Sequence, residues 1–491
     1  MFLDIKYVLE VNIMGKECDY NKTAFTKKEV NKRKFQSLVI IVLIICIQFY
    51  MSQNIDSIYS DKAIPIENIK NSNYSINPMS DLSINQITMK RFEAIRLSAN
   101  DNEGSFLPEI AIDSSGNVHV VWQDESTPND EIFYRKYLNN KDYWSDIEIL
   151  SNTTESRISN FPVIKIDTND VIHVLWRESG FFINSTLNYR YYNGTVWSDI
   201  EIVAQITDVT LAHDLISNNN STFVIWNNKS SFNKYELYYK IYKQENDSWS
   251  STTQLTNNNF TSISPKIVLD SQQLIHLIWT DSAAMGNISE VQYQYFINNN
   301  WFPQEPIIVS TVDYIPSHRP SIQVDGENVV HVIWEDMKDG VSEILYRTIN
   351  SNGLGEEKTI SGENQSGLYP ASCRDEFGNI HIIWYENNYI YYKQIGQGGI
   401  LSDICSLTNE QSILIFPKIT ESDSTLHIVW NDYQKDGSWE IYYLKVKLLG
   451  NRLLLTILFL TFAVFSGSFI FVTIFIIVKK KVKRNTRANQ T

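Results

Sequence analysis

Six of the eight histidines in this 491-residue chain stand three positions before a tryptophan, as His119, His173, His276, His331, His381 and His427. Five of these also follow an aspartate by six positions: Asp113, Asp167, Asp270, Asp325 and Asp375. Two positions after the tryptophans stand Asp124, Glu178, Asn228, Asp281, Asp336, Glu386 and Asp432. A further acid opens the next apolar run at Glu131, Glu236, Glu290, Glu343 and Glu440. Imidazoles and carboxylates bind metals and move protons, so each recurrence has a chemical reading beside a structural one.

The elements that carry these residues repeat with them. The word Val118-His119-Val120-Val121-Trp122 returns six times, and successive tryptophans lie 54, 50, 53, 55, 50 and 46 residues apart. A period near fifty indicates a solenoid, propeller or array. In the first copy, residues 108–113, 118–122, 131–137 and 144–150 are short runs rich in β-branched and aromatic residues, separated by Gly, Asn, Asp and Ser. They read as four antiparallel strands. Val120, Val121 and Trp122 are apolar on both faces of one strand, so that strand is buried on both sides. Four-stranded sheets packed face to face around an axis meet that requirement, and the fold class is all-β, a seven-bladed propeller. The seventh copy lacks a fourth strand, and residues 92–98 resemble 145–151, so the N-terminal stretch is expected to close the ring.

On this architecture neighbouring sheets stand about 10 Å apart, and equivalent histidines cannot share an ion that needs bonds of about 2 Å. They read as structural, each imidazole held by the turn aspartate or a backbone carbonyl. Phe223 fills the slot in the third copy. The aspartate before each first turn reads as a cap on its own turn. A tyrosine recurs in all seven third strands, as Tyr134, Tyr189, Tyr239, Tyr293, Tyr346, Tyr392 and Tyr443, and so reads as packing between blades. The acids after the tryptophans begin the loops joining second to third strands, on the face where propellers bind ligands. Asp124, Glu178, Asp281, Asp336, Glu386 and Asp432 are therefore the candidate ligand-binding face. They could hold Ca²⁺ or a cationic ligand, or each could cap loop amides.

The pattern Pro-x-Ile-x-x-Asp, Gly-Asn-x-His-Val-x-Trp and Ile-x-Tyr-Tyr resembles the sialidase-like, Asp-box-related propeller superfamily over residues 87–447. The turn Asp113-Ser114-Ser115-Gly116 is related to an Asp box without matching it. Sialidases of that superfamily use an arginine triad, a tyrosine with a glutamate partner and an acidic aspartate, usually on six blades. Met89-Lys90-Arg91-Phe92 is not their starting motif, and no catalytic residue is carried over. Paired carboxylates could serve a glycosidase. No nucleophile elbow, phosphate loop or zinc spacing is present. A recognition module for glycan or protein is the leading expectation, with a sialidase-like glycoside hydrolase or lyase of surface carbohydrate as the alternative.

Residues 452–478 include 26 without a charge, Leu453–Val478, followed by the basic tail 479–491. This reads as a transmembrane helix with a cytoplasmic end. Residues 37–51 are a shorter apolar run behind the basic segment 1–36, a signal sequence or signal anchor. The expected protein is integral to the cell membrane by one or two spans, with linker 52–86 and propeller 87–447 outside the cytoplasm. Asn-x-Ser/Thr triplets such as Asn152, Asn193 and Asn246 permit glycosylation there. Residues 50–451 hold 27 Lys and Arg against 51 Asp and Glu, a formal −24. Such a surface repels nucleic acid and favours cations or basic partners. Cys373 and Cys405 fall on the first and fourth strands of one sheet, too far apart to bridge. A closed ring of this kind is expected to be monomeric.

Overall fold

The computed structural model describes residues 89–448 apart from short stretches in connecting loops. Seven antiparallel sheets follow one another along the chain, in the expected seven-bladed propeller. Blade 1 comprises Ser105–Ile112, Val118–Asp124 and Glu131–Leu138, then an outer strand in two pieces, Tyr143–Trp144 and Glu148–Ile149. Blades 2 to 7 begin at Arg157, His213, Ser262, Ser317, Leu368 and Ile413. Each first strand touches the first strands of both neighbouring blades, so the seven form a closed ring about the axis.

The tryptophan words form the core. Val120, Val121 and Trp122 are all fully buried, and so are their counterparts at Trp176, Trp279, Trp334 and Trp384. Trp122 faces blade 7, packing in one cluster with Val429, Ile441 and Tyr443. Val121 faces the other way, onto Ile164, Val174 and Trp176 of blade 2. Each large buried side chain contributes about 1.5–3 kcal/mol, so consecutive apolar residues on a two-sided strand are what bind sheet to sheet.

Two features differ from the sequence expectation. The fourth strand was expected to run unbroken through residues 144–150, but in blade 1 it is interrupted at Ser145. That side chain accepts the Lys136 amide at 3.0 Å and donates to the Asp146 carbonyl at 2.8 Å, replacing a rung of the ladder. Ser198, Ser250 and Ser402 accept a third-strand amide in the same way. The closing strand was expected at residues 92–98 and is likewise split, into Met89–Arg91 and Ile95–Arg96, both paired with Trp439–Leu448. Phe92 and Ile95 are 38% and 40% exposed, and Leu97 is the apolar anchor at 0%.

Cys373 and Cys405 are free thiols on the first strand and the outer strand of blade 6. The expected segments 1–36, 37–51, 52–86, 452–478 and 479–491 lie outside the described residues. Among the described residues no helix is long and apolar enough to cross a membrane.

Candidate functional site: an axial recess and its surrounding acids

The recurring residues mostly bond within the framework. His119 Nδ1 meets the Tyr134 hydroxyl at 2.8 Å, and five more blades repeat the pair at 2.7–2.8 Å. The turn aspartate approaches the other ring nitrogen at 3.2–3.7 Å in five blades. Asp113 Oδ1 also caps its turn by accepting the Ser115 and Asn117 amides. Burial opposes its charge, but bonds from His119 and Asn117 outweigh that and hold the carboxyl well below the usual range. Tyr134, Tyr189 and Tyr443 set their rings edge-on to Trp197, Trp249 and Trp144 of the following blade. The tyrosine therefore serves both its own blade and the seam.

The candidate face is present as a ring of carboxylates at the ends of the second strands, and each is turned into its own blade. Asp124, Asp281, Asp336, Glu386 and Asp432 accept the indole N–H of the tryptophan two residues back, at 2.8–3.4 Å. Asp124, Asp281 and Asp336 also accept from Ser105, Ser262 and Ser317 of the first strand. Glu178 follows Arg177; it pairs with Arg157 and accepts from Asn188. Among the described residues no group of three or more His, Cys, Asp or Glu is arranged to hold a metal ion.

Inside that ring lies a recess on the axis. In six blades the residue before the first-strand proline takes a left-handed φ of 47–56°: Leu107, Phe161, Ser264, Arg319, Tyr369 and Phe416. Proline offers no amide to the ladder, and the register slips at each of these points. The bulge carries Leu107, Phe161 and Phe416 into the wall of a cavity of about 200 Å³. Tyr369 packs on Phe416 at 4.6 Å and Arg319 lies over Tyr369 at 4.7 Å.

Beneath the bulges, the residues paired with the position before each tryptophan are Glu109, Val163, Asp214, Lys266, Ser321, Ala371 and Lys418, and of these Glu109, Val163, Lys266 and Lys418 line the recess. Lys418 pairs with Glu109 at 2.5 Å, and Lys165 approaches Asp214 at 3.7 Å. Lys266 has no carboxylate within 4.0 Å among the described residues. Burial opposes its charge, yet the fields of Asp214 and then Glu109 raise its pKa.

Blade 3 breaks the pattern. Its first strand has no proline and, among the described residues, no bulge; its second strand carries Phe223, and a histidine sits on the first strand, within an uninterrupted ladder. That residue, His213, lines the recess and is 3% exposed. Neither ring nitrogen meets a partner in hydrogen-bonding geometry among the described residues, although the Phe161 backbone lies close. Burial, and then Lys266, bring the imidazole down to about 4. The sequence reading passed over His213; the signal was the failure of the repeat at this blade.

No family model matches the chain. No curated protein sequence matches it either. Among solved structures, a polysaccharide lyase of family PL25, an ulvan lyase, superposes with a TM-score of 0.51 at 11% identity, covering 72% of this chain and 96% of its own. A protein of unknown function from Dyadobacter fermentans gives 0.49 at 9% identity, over 73% and 99% of the two chains. A NanB sialidase variant from Streptococcus pneumoniae gives 0.42 at 10%, over 72% and 70%. The resemblance to the sialidase-like propellers holds at the level of fold.

Proposed function

We propose that this propeller acts on acidic carbohydrate at its axial recess, as a polysaccharide lyase in preference to a glycoside hydrolase. The observation that carries this reading is His213, a buried imidazole with neither nitrogen bonded, facing a cavity it shares with Lys266. Buried polar groups normally find partners, and an orphaned pair in a recess suits a ligand that supplies them. The acids at this level, Glu109 and Asp214, are each engaged with a lysine. Two-carboxylate hydrolysis needs one acid free to protonate and one free to attack or activate water, so the recess favours proton abstraction.

In that reaction Lys266 neutralises the carboxylate of a uronate residue, making the adjacent C–H acidic. A ring nitrogen of His213 takes that proton. The electron pair forms the C4–C5 double bond, the C4–O bond breaks, and the leaving oxygen takes a proton from solvent. The imidazole is neutral in the empty recess, so its lone pair is available, and the incoming carboxylate raises its basicity by opposing Lys266. A cavity of about 200 Å³, below the roughly 300–1,000 Å³ of drug-sized sites, suits one sugar residue. The ulvan lyase named above is described as a polysaccharide lyase. The apolar segments read from the sequence would place the propeller outside the cell membrane, where such polymers lie.

The test is a panel of acidic and neutral polysaccharides given to the full-length protein, following reducing ends and the ultraviolet absorbance of unsaturated products. Both signals rising together support elimination. Reducing ends alone would make it a hydrolase, and binding without either product would return the chain to a recognition module.

A further inference from the structure

On the same face, at the seam of blades 7 and 1, three aromatic side chains lead outward from the recess. Phe106 is the neighbour in sequence of Leu107, which lines the recess. Its ring stands 6.5 Å from that of Trp439, tilted by 44°. Trp439 in turn stands 5.1 Å from Tyr433, its register partner across the loop between the second and third strands of blade 7. Trp439 is half-buried and Tyr433 is 40% exposed. Five of the seven tryptophans of the repeat words give their indole N–H to an acid, as Trp122 does to Asp124, whereas those of Trp176 and Trp226 are buried without an acceptor; the indole N–H of the half-buried Trp439 likewise has no protein acceptor among the described residues, and it lies where a ligand can reach it.

Beside Phe106, Gly104 keeps a gap open. A Cβ there would stand 2.4 Å from the Phe106 ring and 2.8 Å from Glu125 Oε2, while its backbone φ lies outside the left-handed region. The atoms it would meet are the far ends of two side chains, so a side chain at this point would displace the Phe106 ring and the Glu125 carboxylate from their present positions. Glu125 is exposed and its carboxylate accepts no hydrogen bond among the described residues. Burial, and then the charges of Asp130, Glu103 and Asp124, raise its pKa.

We infer that Phe106, Trp439 and Tyr433, with Glu125, form a second sugar subsite, taking the uncharged pyranose next to the acidic residue held in the recess. The inference rests on the carbohydrate reading of the recess. An aromatic face carries partial negative charge that attracts the C–H groups of a pyranose, and the free indole N–H and the Glu125 carboxylate are a donor and an acceptor for ring hydroxyls. The local charge selects the occupant: Glu103, Glu125 and Asp130 repel a second carboxylate, whereas Lys266 attracts the first. The substrate class is therefore a heteropolymer in which an acidic sugar is flanked by a neutral one.

The test uses the full-length protein, its Trp439→Ala, Trp439→Phe and Tyr433→Ala variants, and size-fractionated oligosaccharides from an alternating uronate–neutral hexose polymer. Turnover and calorimetric binding are measured together. Trp439→Ala should raise KM and weaken binding about tenfold for oligomers long enough to reach the seam, leave kcat and the shortest ligand unchanged, and be partly rescued by Trp439→Phe. Tyr433→Ala, at a more exposed position, gives the same length-dependent loss if Trp439→Ala fails to fold. Length-dependent binding without turnover supports the subsite and removes the catalytic reading. Losses equal at every length, or folded variants that bind and turn over as the parent does, overturn the subsite.

Discussion

Ser98 Oγ donates to Glu440 Oε2 at 2.6 Å, joining residues 342 positions apart at the two ends of the ring. The same hydroxyl accepts the Ile441 amide at 3.1 Å, and Arg96 pairs with the other Glu440 oxygen. Within the chain the identical arrangement is made locally, by Ser151 with Glu131 and by Ser310 with Glu290. Closure therefore reuses the bond that ends blades 1 and 4.

Ser98→Ala leaves Glu440 and the Ile441 amide buried and short of a partner, which costs about 1–3 kcal/mol. The expected result is a lower melting temperature with the propeller intact. Deleting residues 87–99 also removes the Leu97 anchor and uncovers the Trp439–Leu448 edge. That loss approaches the net stability of a domain, and light scattering should show aggregation.

The ring of acids supports a second expectation. Asp124→Ala strips acceptors from Trp122 Nε1, Ser105 Oγ and the Ser126 amide. Destabilisation of about 1–3 kcal/mol is expected for leaving such buried donors unmet. A thermal melt should show the same drop with and without millimolar Ca²⁺, since the oxygens are already engaged by the blade.

Period, blade number and ring closure were legible because the tryptophan words must be apolar on both faces, and no surface strand reads that way. The breaks in the outer strands were not, because Ser145 reads as an ordinary polar strand residue until its hydroxyl is seen to take the Lys136 amide. Nor were the bulges, although Pro108, Pro162 and Pro417 marked their places. The recess depends on which of seven first strands departs from the repeat. His213, paired with Trp226, stands where the other blades have the proline of an interrupted ladder, and periodicity averages such departures away.

The pH dependence of stability follows from Glu290. Burial, with Asp313 and Asp336 nearby, pushes its pKa up to about 7. A folded value above the ordinary glutamate range means that the neutral acid favours folding. Its contribution is complete at pH below that range and is lost as pH rises to about 7. Glu290→Gln, which mimics the neutral acid, should melt higher than the parent at pH 8, and the two curves should converge below pH 4. A difference independent of pH would place the effect elsewhere.

The recess account stands or falls with His213. The decisive measurement is kcat/KM for an acidic polysaccharide with the full-length parent and with His213→Ala, alongside the melting temperature of each. Loss of a general base is expected to lower kcat/KM by about 10²–10⁴ in a variant that still unfolds cooperatively, its melting temperature lowered only by the packing lost with the buried ring. A His213→Ala variant that degrades the polymer at the parental rate would contradict the account.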